Sequence, residues 1–135
     1  MDAEHSAVVA ASPQECFDAI CDFASYPEWQ GPVRSVEVRD DSTVAFEVDA
    51  KIRTIRYVLR YHFDPPARIW WDYVEGDAKS VTGEYRFEDL GDGTTRATYA
   101  LDIDPGGFVP GPVKKVLRDQ VMKASVTDLK RHLES

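Results

Sequence analysis

The segment 83–101 constrains the fold more than any other. Two runs of period-2 alternation, 84–90 and 95–101, flank Gly91-Asp92-Gly93, and a proline-opened amphipathic helix follows and closes the sequence. Alternation sends successive side chains to opposite faces of a strand, and glycine reaches the positive φ that a tight hairpin turn demands. A hairpin feeding a long terminal helix predicts a sheet that grips a helix, with room for a ligand between them.

The rest of the sequence extends this pattern. Residues 4–10 read as an opening strand. Ser12-Pro13-Gln14-Glu15 then signals a helix start: serine caps, proline suits the first helical position, and Glu15 completes a capping box. Phe17, Ile20, Cys21 and Ala24 recur at helical spacing, and the helix is expected to break by Tyr26-Pro27. A second short turn holds Glu28 and Trp29 and ends at Gly31-Pro32. From Val33 to about Ile103 the period becomes two. The clearest strand sets Ile55, Tyr57, Leu59, Tyr61 and Phe63 on one face and Thr54, Arg56, Val58, Arg60 and His62 on the other. Pro65-Pro66 forces a turn, and Ile69, Trp71 and Tyr73 alternate after it. Val113, Val116, Leu117, Val121, Met122, Val126, Leu129 and Leu133 then form the stripe of the last helix, with no interior Gly or Pro. Short strands joined by tight turns, with helices kept apart from them, predict an antiparallel α+β layer fold in a single domain spanning 1–135.

Charge and cysteine usage narrow the partners. Sixteen basic against twenty-four acidic residues give a net charge of −8, which repels phosphate backbones and anionic headgroups and argues against nucleic acid. The largest basic cluster, Lys114, Lys115 and Arg118, reads as a solvated helix face. No apolar run approaches the roughly 20 residues needed to span a bilayer, and residues 1–5 lack the pattern of a signal peptide, so a cytoplasmic protein with no integral membrane association is expected. Cys16 and Cys21 sit about 140° apart around a helix and lack metal-ligand or Cys-x-x-Cys spacing. They read as buried thiols. No His, Cys and carboxylate cluster implies a metal or other cofactor.

Three features together carry a resemblance. The opening strand and Ser-Pro-capped helix run into Asp22-Phe23-Ala24-Ser25-Tyr26-Pro27-Glu28-Trp29, similar to a helix ending in Tyr-Pro-x-Trp. Gly83-Glu84-Tyr85-Arg86-Phe87 through Gly93-Thr94-Thr95 resembles a penultimate hairpin, and the terminal helix is the third. The chain thereby resembles the START/polyketide cyclase-dehydrase superfamily, also called SRPBCC, with its birch-pollen-allergen-like helix-grip fold. The resemblance implies a curved seven-stranded antiparallel sheet around the last helix, two short helices after the first strand, and a deep apolar cavity. Relatives bind lipids, sterols, quinones or aromatic polyketides, and some cyclise or dehydrate polyketides. The family has no universal catalytic set, so catalytic residues stay unassigned. Tyr85 stands where many relatives have tryptophan.

Strand parity nominates the ligand-binding residues: Phe46, Tyr57, Leu59, Tyr61, Trp71, Tyr73, Tyr85 and Tyr99, with Arg53 if its strand begins early enough. Aromatic rings supply contact area and phenols a few oriented hydrogen bonds. Buried phenols need partners, so a purely structural core would more cheaply use Phe or Leu. His62, Trp70 and Asp72 fall on the outer face, where stems of Arg60 or Arg86 are expected to cover the Trp70 indole. The Gly106-Gly107 loop and the loop after Tyr73 are candidate gates. Three functions follow as expectations: binding or transport of a hydrophobic small molecule; cyclisation or dehydration of a polyketide-like substrate in the same cavity; and, from the outer sheet, contact with an unidentified protein partner.

Overall fold

In the computed structural model, residues 4–40, 42–49, 54–104 and 111–134 are described. The elements are β1 (Glu4–Val9), α1 (Pro13–Cys21), a 3-10 turn (Phe23–Ser25), α2 (Tyr26–Trp29), β2 (Val33–Val38), β3 (Thr43–Asp49), β4 (Thr54–Asp64), β5 (Arg68–Gly76), β6 (Ser80–Asp89), β7 (Thr95–Asp104) and α3 (Gly111–Glu134). The seven strands form one antiparallel sheet in the order β1-β7-β6-β5-β4-β3-β2, curled about α3 in a helix-grip fold. β2 to β7 make a continuous meander. β1 adds to its far edge, so α1 and α2 carry the chain from one edge of the sheet to the other.

Local chemistry explains the connections. At α1 the Glu15 amide donates to Ser12 Oγ and the Ser12 amide to Glu15 Oε1, each at 3.1 Å, completing the capping box that the sequence announces. Gly91 and Gly93 both adopt φ +85°, which closes the β6–β7 hairpin. The helix after Ser12 stops earlier than its apolar spacing suggests. It ends at Cys21, Asp22 leaves helical geometry at ψ 67°, and Ala24 is exposed. Tyr26-Pro27 therefore opens α2 instead of ending α1: proline lacks only an N–H that has no partner in a first helical turn.

Inward residues of the sheet meet α1 and α3 in one core, where Ile20, Ile69, Met122 and Leu129 are fully buried. Burial of such a side chain contributes about 1.5–3 kcal/mol. α3 also closes the outer edge of β1: Lys130 Nζ donates to the Val8 carbonyl at 2.8 Å, and the Ala10 amide donates to Glu134 Oε2 at 2.9 Å. Two expectations for the stripes are corrected. Val116 is 54% exposed on α3, and Cys21 is only partly buried at the end of α1.

The outer face carries a cross-strand ladder of charge. His62 Nε2 and Asp72 Oδ2 are 2.7 Å apart, the His62 ring stacks on Trp70, and Arg68 Cζ lies 4.2 Å above the Trp70 ring. Arg68 thus covers the indole, in place of the expected Arg60 or Arg86. Arg86 turns instead to Glu4 at 2.6 Å and Glu84 at 3.6 Å. Exposed pairs of this kind add little stability singly; their effect is to keep this face polar.

Candidate functional site

Between the inner face of the sheet, α2 and the middle of α3 lies a cavity, partly open to solvent. It offers about 70 Å³ to the centre of a water-sized molecule, several times the roughly 10–15 Å³ that one water needs by that measure. Period-2 geometry builds its floor. Tyr61 pairs with Trp71 across β4–β5, Trp71 with Gly83 across β5–β6, and Tyr85 with Tyr99 across β6–β7. The rings consequently meet in series, with centroids 5.4 Å apart for Tyr61–Trp71, 5.6 Å for Trp71–Tyr99 and 4.6 Å for the edge-on Tyr85–Tyr99 pair. Each aromatic pair is worth about 0.5–1.5 kcal/mol beyond burial.

Of the nine residues nominated from the sequence, Phe46, Tyr57, Leu59, Tyr61, Trp71, Tyr85 and Tyr99 line this cavity. Tyr73 does not. A register shift at the β4–β5 pair follows it, and its hydroxyl donates to the Ala78 carbonyl at 2.5 Å, so the ring braces the β5–β6 turn. Arg53 lies outside the described residues, as does the expected Gly106-Gly107 gate.

The helices contribute residues that strand parity does not reach: Tyr26 and Gln30 from α2 and its end, Val121 and Ser125 from α3. Tyr26 is held by a hydrogen bond from its hydroxyl to the Ile20 carbonyl. Along α3, Ser125, Asp128 and His132 form a polar seam at helical spacing. Ser125 Oγ donates to the Val121 carbonyl at 2.8 Å. Asp128, 8% exposed, accepts from the Gly31 amide at 3.0 Å and from Arg131 at 3.1 Å. His132 stacks on Trp29, with centroids 4.6 Å apart and planes 7° from parallel. The seam thus fastens α2 to α3 on the cavity's flank. The sequence alone does not single it out; polar residues at helical spacing beside the Met122–Val126–Leu129 stripe are the signal that points to it.

Burial sets the chemistry of the wall. It holds the pKa values of Tyr26, Tyr57, Tyr61, Tyr85 and Tyr99 well above that of a free phenol. At Tyr85, the nearby Ser125 hydroxyl and Gln30 amide oppose this effect, and the Asp128 charge reinforces it. These hydroxyls stay protonated at neutral pH and act as donors or acceptors, not as bases. Burial likewise pushes the Cys16 and Cys21 thiols up to about 11, which leaves them unreactive near neutrality. Two buried donors in the cavity wall, Trp71 Nε1 and Gln30 Nε2, have no hydrogen-bond partner. Among the described residues no group of three His, Cys, Asp or Glu side chains gathers to hold a metal, and no helix is long and apolar enough to cross a membrane.

Comparison with known proteins agrees with this architecture. The family model for polyketide cyclase / dehydrase and lipid transport matches residues 1–134. A START superfamily protein from Mycobacterium smegmatis superposes with a TM-score of 0.89 at 19% identity, over 98% of this chain and 96% of that one. The Zhui aromatase/cyclase from a Streptomyces species gives 0.84 at 19% identity, over 98% and 92%. The di-domain aromatase/cyclase StfQ of the steffimycin biosynthetic pathway gives 0.70 at 22% identity, over 98% of this chain and 46% of that one. At these identities the likeness is one of fold. No curated protein matches the sequence.

Proposed function

The chain belongs to the polyketide cyclase / dehydrase and lipid transport family, and from that premise we propose that it binds or carries a hydrophobic small molecule in the cavity between the sheet and α3. The observation that supports this most is the composition of the wall. Tyr57, Tyr61, Trp71, Tyr85 and Tyr99 converge on unfilled space in place of closing it, and an apolar pocket with a few polar groups is the general form of a small-molecule site. The −8 charge and the absence of a long apolar helix among the described residues fit a carrier working in water, and we place it in the cytoplasm. Native mass spectrometry of the purified protein after exposure to a lipid and aromatic extract tests the proposal. A retained apolar adduct supports it; a protein that emerges free from every extract contradicts it.

A second reading, cyclisation or dehydration of a polyketide-like substrate, draws on the hydroxyl cluster of Tyr85, Tyr99 and Ser125. Such a site would act by positioning the chain and polarising a carbonyl. Binding is favoured over it because the lining residues, among those described, include no His, Asp or Glu to take a proton at neutral pH. Substituting Tyr85 and Tyr99 by Phe separates the two: turnover of a poly-β-ketone probe would vanish under the catalytic reading with binding kept.

A further inference from the structure

We propose that two copies of this chain associate through β2, the two edge strands pairing antiparallel so that the two sheets become one. β2 is the last strand on its side of the sheet. The other edge strand, β1, is closed by Lys130 and Glu134 of α3, whereas Ser35, Glu37, Val38 and Arg39 are exposed. Antiparallel ladders alternate bonded and non-bonded pairs, and the Arg39 amide donates to the Thr43 carbonyl at 2.9 Å. In the same register Glu37↔Ala45 and Ser35↔Glu47 are the bonded pairs. The N–H and C=O groups of Val36 and Val38 therefore point away from β3. Such a row of unpaired backbone groups is a template for another strand.

Charge identifies that strand as a second copy of β2. A two-fold axis normal to the sheet keeps inner face beside inner face, so residues that lie opposite one another must share a face. Three registers satisfy this, centred on Val36, Glu37 or Val38. The first sets Glu37 against a serine and runs into the bulge at Val33/Ser35. The second sets two Glu37 carboxylates together. The third places each Glu37 opposite the partner's Arg39 and brings the two Val38 side chains, each 50% exposed in the single copy, into contact. Within one strand Glu37 Oε1 and Arg39 Nε are already 2.9 Å apart, so the four side chains close into a ring of alternating charge on the outer face. Opposite charges across a strand pair stabilise it and like charges oppose it. Only residues 36–40 of each copy overlap, so the dimer is weak and concentration dependent.

Sedimentation equilibrium of the full chain tests this, at about 0.15 M salt, where the −8 charge of each copy is screened beyond about 8 Å. A reversible equilibrium between monomer and dimer is expected. Arg39→Glu sets carboxylate against carboxylate twice and should weaken association about tenfold. Combining it with Glu37→Arg restores opposite charges in the same register and should recover association, a rescue that a change in the monomer would not give. Single cysteines read the register. Val38→Cys should form an intersubunit disulfide under mild oxidation faster than Val36→Cys or Glu37→Cys, with the wild type as the blank for Cys16 and Cys21. A monomer at every concentration overturns the proposal. So does a dimer indifferent to Arg39→Glu, or one that crosslinks best through position 36 or 37. Should Arg39→Glu not fold, the crosslinking at position 38 decides.

Discussion

Trp71 packs on Gly83, its partner across β5–β6, and uses the space that a side chain there would fill. A Cβ at position 83 would stand 2.7 Å from Trp71 Cζ2 and would also meet the Ala100 carbonyl oxygen. Neither neighbour is free to retreat, since one is backbone and the other a 4%-exposed indole in the cavity wall. Gly83→Ala is therefore expected to destabilise the fold by about 1–3 kcal/mol, the usual cost of overpacking, and to alter the near-ultraviolet circular dichroism of Trp71. Urea unfolding measures the first. A midpoint and spectrum equal to those of the wild type would show that the indole does not occupy this position.

The polar seam of α3 makes a separate prediction. Asp128→Ala leaves the Gly31 amide without its acceptor and Arg131 without its partner, so a loss of about 1–3 kcal/mol is expected. Asp128→Asn keeps an acceptor and should lose less. Hydrogen exchange at the Gly31 amide should speed up in Asp128→Ala at the same time. Unchanged exchange there would mean that α2 is held without the seam.

At the start of α1, Ser12→Ala removes the hydroxyl that caps the Glu15 amide. A loss of about 1 kcal/mol is expected, measured as a shift in thermal or denaturant midpoint. Ser12→Asp, which retains an acceptor, should restore most of it; equal loss in both would remove the cap from the account.

Alkaline pH offers a test of wall burial. The folded-state pKa values of Tyr26, Tyr57, Tyr61, Tyr85 and Tyr99 lie above that of an unfolded tyrosine, near ~10, and the two thiols rise from 9.0 to about 11. Groups raised in this way stabilise the fold fully below the unfolded pKa, because the folded state holds the proton more tightly. That contribution is lost as the pH climbs through the folded values. Stability should thus begin to fall above about pH 9, and phenolate absorbance should grow together with unfolding. Reversible ionisation of several tyrosines near pH 10 with circular dichroism unchanged would place these phenols in water.

Much of this was legible in the sequence, for reasons that differ by element. Tyr57, Leu59, Tyr61, Trp71, Tyr85 and Tyr99 could be assigned to the cavity face because strand parity fixes direction residue by residue. The Gly91-Asp92-Gly93 turn closes the last hairpin, and in the structure Tyr85 and Tyr99 meet across it. Parity puts Tyr73 on the inner face, where it pairs with Leu59 and packs against the core; that its hydroxyl reaches the Ala78 carbonyl and its ring stays outside the cavity lining depends on the β5–β6 turn, which alternation does not show. Gln30, Tyr26 and Ser125 were missed because a helix faces the cavity only by virtue of where it docks. The same holds for Trp70: its place on the outer face follows from parity, whereas the choice of Arg68 over Arg60 or Arg86 depends on side-chain paths across strands.

The central claim, that the cavity holds a hydrophobic molecule, is tested most directly by titrating the wild type and Leu101→Trp with the neutral fluorophore N-phenyl-1-naphthylamine. Leu101 is buried in the cavity wall, and an indole there would fill the space. The wild type is expected to saturate at one site with a blue-shifted, enhanced emission, and the variant to bind about tenfold more weakly or not at all while retaining its fold. Equal binding by the two proteins, or no saturable binding by the wild type, would contradict the claim.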